Sequence, residues 1–133
     1  YVNNSSKHLL LFKVLEDNFV HFAQSNYSTF VIQIYVKCYH KNESFDKILT
    51  YFSELTITRN GIFVVISALK GYTKPHLETL IDKIILHSEK LCTNVYASTL
   101  IEFVFKNFEM AISKFLNTKL QSLFGKPNFN YKQ

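Results

Sequence analysis

The apolar residues of this chain recur with the spacing of a helix face. Between residues 9 and 22 they form a broad stripe, with Lys13, Glu16 and Asp17 on the opposite side, a pattern typical of an amphipathic helix. A polar break follows, and the next segment, from Tyr27 to His40, is more apolar. Its β-branched residues would also suit a buried strand, but its length and its lack of turn signals favour a buried helix.

This unit of an amphipathic helix, a polar break and a more apolar helix occurs three times. The apolar segments align without gaps, and their residues Gln33, Ile66 and Glu102 are 33 and 36 positions apart. A fixed period in this range is typical of repeat arrays, in which neighbouring helix pairs bury each other's faces. The sequence therefore predicts an all-α array with repeats at about 8–42, 43–74 and 75–109. A C-terminal helix and a lead-in to a missing repeat are predicted at about 110–133.

Local signals indicate where some helices begin and end. Gly71 follows an apolar run, where a helix C-cap glycine is expected. Pro75 occupies a plausible first helical position, with Glu78 in the first turn.

Composition narrows the class of protein. Hydrophobic residues make up 47% of the chain, which argues against disorder, and only three glycines and two prolines favour helices over sheets with tight turns. The net charge of +5 is compatible with a polyanionic partner.

Cys38 and Cys92 lack metal-ligand spacing, and we expect buried or partly buried free thiols. No segment predicts a membrane span or a signal peptide; without an initiator Met, the chain is expected to be a fragment or an ordered part of a longer protein.

Catalysis finds no support in the sequence. The chain shows no Ser/His/Asp or Cys/His arrangement, no phosphate-binding glycine loop and no pair of carboxylates that suggests acid–base chemistry. We therefore expect neither an enzyme nor a cofactor or metal site.

The three apolar segments carry a resemblance to a known family. Residues 27–33 read Tyr-Ser-Thr-Phe-Val-Ile-Gln and residues 96–102 read Tyr-Ala-Ser-Thr-Leu-Ile-Glu, while residues 60–66 keep the glycine and the apolar frame. These segments resemble the second helix of Pumilio-type (PUF) repeats, and the resemblance covers roughly residues 8–107. It implies a right-handed α-solenoid of about three tandem repeats whose concave face binds single-stranded RNA. Near the end of the chain, 127–129 reads Pro-Asn-Phe; the family resemblance of the repeats implies that this segment leads into another repeat.

The resemblance also assigns roles to single residues. In each repeat, two side chains four positions apart contact the edge of a base, and the residue after the first stacks on the base plane. The implied base-edge residues are Thr29, Gln33, Ser98 and Glu102, and the implied stacking residues are Phe30, Phe63 and Thr99. At the middle repeat Ile62 and Ile66 occupy the edge positions, and neither offers a donor or an acceptor.

These residues imply a short RNA target. Ser98 and Glu102 offer acceptors suited to guanine, whereas Gln33 suits adenine or uracil. Because PUF arrays bind RNA antiparallel to the protein, we expect guanine, any base, then adenine or uracil, as in UGU-like 3′-UTR elements. The resemblance further implies mRNA regulation such as translational repression, a cytoplasmic location, and protein partners on the convex face.

Lysines recur in register with the edge positions. Lys37, Lys70 and Lys106 each lie four residues after the last edge position. One interpretation is a row of phosphate contacts with salt-sensitive binding. The other is lysines near helix C-termini, where solvent and the helix dipole favour them, and the sequence leaves both open.

Two other functions remain compatible with the sequence. The first is a diverged PUF-like protein of ribosome biogenesis, located in the nucleolus, that binds structured RNA by charge. The second is a helical-repeat scaffold that binds proteins and no longer binds RNA. In the absence of the resemblance, Phe30 and Phe63 would be interpreted as core residues.

Overall fold

The chain folds into helices throughout the part that the structure describes. The computed structural model describes residues 2–39 and 41–124, with side-chain environments for 9–39 and 41–121. These ranges contain ten helices and no strand, which confirms the all-α prediction. The helices are α1 (Val2–Asp17), α2 (Phe19–Gln24), α3 (Thr29–Cys38), α4 (Lys41–Thr50), α5 (Phe52–Leu55), α6 (Arg59–Gly71), α7 (His76–Leu86), α8 (Ser88–Cys92), α9 (Ala97–Asn107) and α10 (Glu109–Phe124).

The helices form three consecutive units of three, followed by α10. The last helix of each unit, which we call the inner helix, packs against the inner helix of the next unit, α3 on α6 and α6 on α9. The first helices also meet, α1 on α4 and α7 on α10. Of the predicted repeat boundaries, 74/75 lies between α6 and α7, whereas 42/43 and 109/110 lie in the first turns of α4 and α10.

Each amphipathic segment is two helices instead of the one continuous helix expected from its spacing. The breaks lie at Asn18, Tyr51 and His87, whose φ/ψ angles are −121/30, −106/23 and −98/13. The Asn18 side-chain amide also donates to the Val14 carbonyl at 2.9 Å. The three breaks are 33 and 36 positions apart, the same intervals that separate Gln33, Ile66 and Glu102. The backbone therefore repeats with the period of the sequence.

The inner helices end at equivalent aromatic residues. Tyr39, Tyr72 and Phe108 follow α3, α6 and α9 in extended conformations, again 33 and 36 positions apart. Each backbone N–H bonds the carbonyl four residues earlier, which satisfies one acceptor of the last helical turn.

Gly71 has a different role from the C-cap that the sequence predicts. It is the last residue of α6, and its φ lies outside the left-handed region. A Cβ at this position would lie 2.3 Å from the carbonyl oxygen of Lys37 on α3. The Lys41 ammonium donates to the Gly71 carbonyl at 2.7 Å. The glycine is therefore required by the close approach of two inner helices.

Burial against neighbouring units explains why the apolar segments are helical despite their β-branched residues. Equivalent side chains of the three inner helices lie in one core with relative exposures of 0–7%. These are Ile32, Val65 and Ile101, together with Tyr35, Ala68 and Val104. Tertiary burial of this kind outweighs the modest helix propensity of Val and Ile.

Polar side chains connect adjacent units at the surface. The Asn60 amide donates to the Gln24 carbonyl at 3.1 Å and to the Asn26 side-chain oxygen at 2.9 Å. The Gln24 amide donates to the Glu54 carbonyl at 2.9 Å. These bonds hold the first two units in register.

Several smaller expectations have clear outcomes. Cys38 and Cys92 are free but exposed, because they end α3 and α8 instead of facing the core. Pro75 precedes α7 as its N-cap, and Glu78 lies in the first turn as predicted. The lead-in at 127–129 lies outside the described residues. Within the described ranges, no helix combines the length and the apolarity of a membrane span.

Gly71→Ala tests the close approach of α3 and α6. We expect the free energy of unfolding to fall by roughly 1–3 kcal/mol, because a methyl group would force the Lys37 backbone away. Urea unfolding followed by circular dichroism measures the effect. Ser67→Ala, in the same helix at a half-buried position, serves as the control and should change stability by no more than about 0.5 kcal/mol. Equal stabilities of the two variants would contradict the packing described.

Because of Tyr72, we expect the free energy of unfolding to depend on pH in the alkaline range. Its hydroxyl is buried and lies 2.6 Å from Ser44 Oγ, and burial raises the pKa of Tyr72 above its usual value, although the Ser44 bond opposes the shift. Above about pH 10 the unfolded chain therefore loses a proton that the folded chain retains, and the free energy of unfolding falls as the pH rises.

Tyr72→Phe should reveal this contribution. At pH 7 we expect a loss of about 1 kcal/mol from the missing Ser44 bond. Between pH 10 and 11 the variant should lose stability less steeply than the wild-type chain, so the gap between them narrows. Urea unfolding at pH 7, 9, 10 and 11 measures both effects, with Tyr96→Phe as the exposed control. A gap that is constant with pH would show that Tyr72 does not carry the effect.

Candidate nucleic-acid interface

The predicted stacking residues are exposed at one register of the three inner helices. Phe30 on α3 is 64% exposed, Phe63 on α6 is 38% exposed, and Thr99 on α9 is also exposed. The alternative that Phe30 and Phe63 are core residues is therefore wrong. Two exposed aromatic rings on adjacent helices form a surface of the kind on which bases stack.

Thr29 lies in the interior, so its predicted role changes. It is 1% exposed and faces the second unit, where its hydroxyl is 3.5 Å from the Asn60 carbonyl. Its oxygen also accepts a hydrogen bond from the Gln33 side-chain amide at 3.3 Å. At this site Thr29 orients Gln33 and has no surface of its own for a base, whereas Gln33 is half-buried and reaches the surface.

The middle inner helix contributes no polar edge group. Ile62 and Ile66 are 2% and 8% exposed, on a helix that packs against both α3 and α9. Neither side chain offers a donor or an acceptor. Of the three residues that the resemblance assigns to base contact on α6, Ile62, Phe63 and Ile66, only Phe63 reaches the surface.

On α9 the predicted edge residues are accessible but already have partners. The Ser98 hydroxyl donates to the Val95 carbonyl at 3.0 Å, which leaves its oxygen free to accept. The Glu102 carboxylate is exposed and pairs with the Lys106 ammonium at 2.9 Å. This ion pair, one helical turn along an exposed surface, is weak enough for another donor to replace.

The three lysines in register are not equivalent. Lys37 and Lys70 are exposed, and the Lys70 ammonium lies 5.8 Å from the centre of the Phe103 ring. Lys106 is engaged by Glu102. A uniform row of free cations is therefore absent from these three positions.

A cleft lies beside the stacking surface, between the first turns of α6 and α9. Its volume is about 280 Å³, and its lining residues are Arg59, Ile62, Phe63, Val95, Tyr96 and Thr99. The guanidinium carbon of Arg59 lies 5.7 Å from the centre of the Phe63 ring. No lining residue carries a carboxylate, so the cleft is positive and largely apolar. It joins Phe63 of one unit to Thr99 of the next.

Arg59, Val95 and Tyr96 were not predicted as site residues. Arg59 is the only arginine of the chain, and this was the signal that could have singled it out. Tyr96 aligns with Tyr27, which is 89% exposed, so a recurrent aromatic residue before the inner helix was visible in the alignment. Val95 gave no signal, because it enters the cleft only through the packing of α9 on α6.

Other kinds of site are not apparent in the described part of the chain. No group of three His, Cys, Asp or Glu side chains there is arranged to hold a metal ion. The half-enclosed cavity lined by Phe52, His87 and Lys90, among others, lies mainly between α5 and α8 and reaches the inner helices only at Ala97, the first residue of α9. The surface of the inner helices thus holds all the predicted binding residues except Thr29.

Comparisons with known proteins leave the family open. No protein-family model, no curated protein and no solved structure matches this chain. The assignment of function therefore depends on the geometry of the repeats and on their side chains.

The different surroundings of Thr29 and Thr99 can be tested by making the same substitution, Thr to Asn, at each position. Thr29→Asn should lower the free energy of unfolding by roughly 1–3 kcal/mol, because it forces a larger polar group into a closed site. Thr99→Asn, at an exposed position, should change it by no more than about 0.5 kcal/mol. Chemical denaturation of both variants measures the difference, and a tolerated Thr29→Asn would place Thr29 at the surface.

Proposed function

We propose that the protein binds single-stranded RNA along the surface formed by α3, α6 and α9. In this proposal the three units are Pumilio-type repeats of a right-handed α-solenoid, and the inner helices line its concave face. The observation that carries the proposal is the shared register of Phe30 and Phe63, exposed on adjacent inner helices, with a polar residue three positions later on α3 and α9. Exposed rings beside polar side chains suit splayed-out bases.

The side chains support a definite order of bases. The exposed Glu102 carboxylate accepts from the N–H groups of a guanine edge once Lys106 is displaced. Gln33, held by Thr29, offers an amide to adenine or uracil. Between them, Phe63 stacks without edge contacts, so the proposed core is guanine, any base, then adenine or uracil in the 5′ to 3′ direction.

The proposed cellular role follows from this target. Short elements of the UGU type lie in 3′ untranslated regions, and a protein that binds them regulates mRNA, for example by translational repression in the cytoplasm. Protein partners would then bind the convex face. The chemistry at the inner helices requires neither a cofactor nor catalysis.

Two alternatives have observations in their favour. Exposed Lys37 and a net charge of +5 favour a protein of ribosome biogenesis, in the nucleolus, that binds structured RNA through its phosphates. Val31 and Ile34, which are 44% and 58% exposed beside Phe30, favour a scaffold that binds proteins.

Fluorescence polarisation with short labelled RNAs separates these functions. We expect a UGUA-containing RNA to bind at least about tenfold more tightly than the same RNA with its guanine replaced, a difference of about 1.4 kcal/mol. Glu102→Gln should abolish this preference, because the amide replaces one acceptor oxygen with a donor. Glu54→Gln, the same change at an exposed residue of α5, should preserve it.

The opposite outcomes are equally informative. Equal, weak and strongly salt-dependent binding to both RNAs would favour recognition of phosphates alone. The absence of binding to either RNA by a chain with its full helical signal would reject RNA binding and favour the scaffold.

A further inference from the structure

The cleft between α6 and α9 combines an aromatic face, an apolar floor and one cation. Phe63 and Ile62 provide the apolar surface, and Arg59 lies over the Phe63 ring with 5.7 Å between the guanidinium carbon and the ring centre. Among the described residues no carboxylate pairs with Arg59. Its charge is therefore available to an anion, unlike that of Lys106.

The position of Arg59 is set by well-defined local structure. Thr58 caps α6, because its side-chain oxygen accepts from the Gly61 N–H at 3.1 Å, so Arg59 is the first residue of that helix. Across the cleft, the Asn94 side chain accepts from the N–H groups of Tyr96 and Ala97 at 2.8 and 3.0 Å. One wall of the cleft is thus held by the cap of α6, and the other by the bonds of the Asn94 side chain to the backbone at the start of α9.

We propose that this cleft is a nucleotide slot in which Arg59 binds the phosphate of the middle RNA nucleotide, while its base lies on Phe63 as the proposed function already assigns. This inference rests on the proposed RNA-binding function and deepens it. A planar ring carrying a nearby anion is the ligand that matches an exposed aromatic face beside an unpaired guanidinium. The volume of about 280 Å³ is close to the lower end of small-molecule sites, about 300–1,000 Å³, and suits one ring better than a folded peptide segment.

The chemistry of the slot predicts affinity without sequence preference. Ile62 and Ile66 present no donor or acceptor, so the base edge forms no hydrogen bond with them. All four bases can stack on Phe63. Arg59, and not the lysine at the same repeat, then supplies the phosphate contact, since the Lys70 ammonium lies near the Phe103 ring. Arginine suits this task because its planar fork binds phosphate through two N–H groups while it stacks.

Binding measurements on the full chain test the slot. RNAs of the form UGNA, with each of the four bases or an abasic residue at N, are titrated at several salt concentrations. Arg59→Gln should weaken binding roughly three- to tenfold for all four bases, and the slope of log affinity against log salt should become shallower by about 0.7, the value for one phosphate contact. Lys13→Gln, the same loss of charge on exposed α1, is the control and should change affinity less than about twofold.

Stacking of the base on Phe63 is tested by a separate measurement. The abasic RNA should bind at least about fivefold more weakly than the four complete RNAs, as expected for the loss of one stacked base. Phe63→Leu should weaken the complete RNAs by a similar factor and leave the affinity for the abasic RNA unchanged. Circular dichroism of each variant checks that the overall helical content is unchanged.

The results separate this inference from the proposed function. If Arg59→Gln binds like the wild-type chain while Glu102→Gln loses its guanine preference, the slot is wrong and RNA binding stands. A strong preference for one base at N, or equal binding of the abasic RNA, also overturns the slot. If the folded wild-type chain binds none of these RNAs, both the slot and the proposed function are rejected.

Discussion

The side-by-side packing of the inner helices is the constraint on which the other features depend. Gly71 allows the backbone of α6 to approach that of α3, since even a methyl group would lie 2.3 Å from the Lys37 carbonyl oxygen. Once the helices are this close, the side chains that face a neighbouring unit are buried. The residues between them form a continuous surface. The candidate interface is thus a consequence of core packing.

The same packing gives residues of similar type different environments, some buried between units and others exposed on the candidate interface. Thr29 and Thr99 differ by one position in register, yet one is buried against Asn60 and the other is exposed. Gln33 and Glu102 share a register, but Thr29 holds the first and Lys106 pairs with the second. The two ends of the surface therefore present different polar groups, whereas of the three predicted base-contacting positions on the middle helix only Phe63 is exposed. A surface with this order favours two edge contacts around a base-independent centre.

The positive charges of the candidate interface lie at particular points and do not form a uniform row. The sequence places lysines at one register, but the structure gives each a different environment, with Lys106 paired and Lys70 beside an aromatic ring. Arg59 stands apart, since it lies over Phe63 without a carboxylate partner among the described residues. Ordering one guanidinium on a ring costs less entropy than ordering several long lysine side chains. The cleft is accordingly the point where a guanidinium and an exposed aromatic ring lie together.

The sequence by itself determined the helical class and the intervals of 33 and 36 residues. Both follow from hydrophobic periodicity, which is a local property of the chain. The exposure of Phe30 and Phe63 was expected only from the family resemblance, because their apolar surroundings in the sequence would otherwise place them in the core. Only the tertiary structure decided that Thr29 is buried, that Gly71 serves helix contact, and that each amphipathic segment breaks into two helices. It also brought Arg59 and Tyr96, from different units, to the same cleft. Periodicity identifies the face of a helix, but the distance between two helices depends on how their side chains pack.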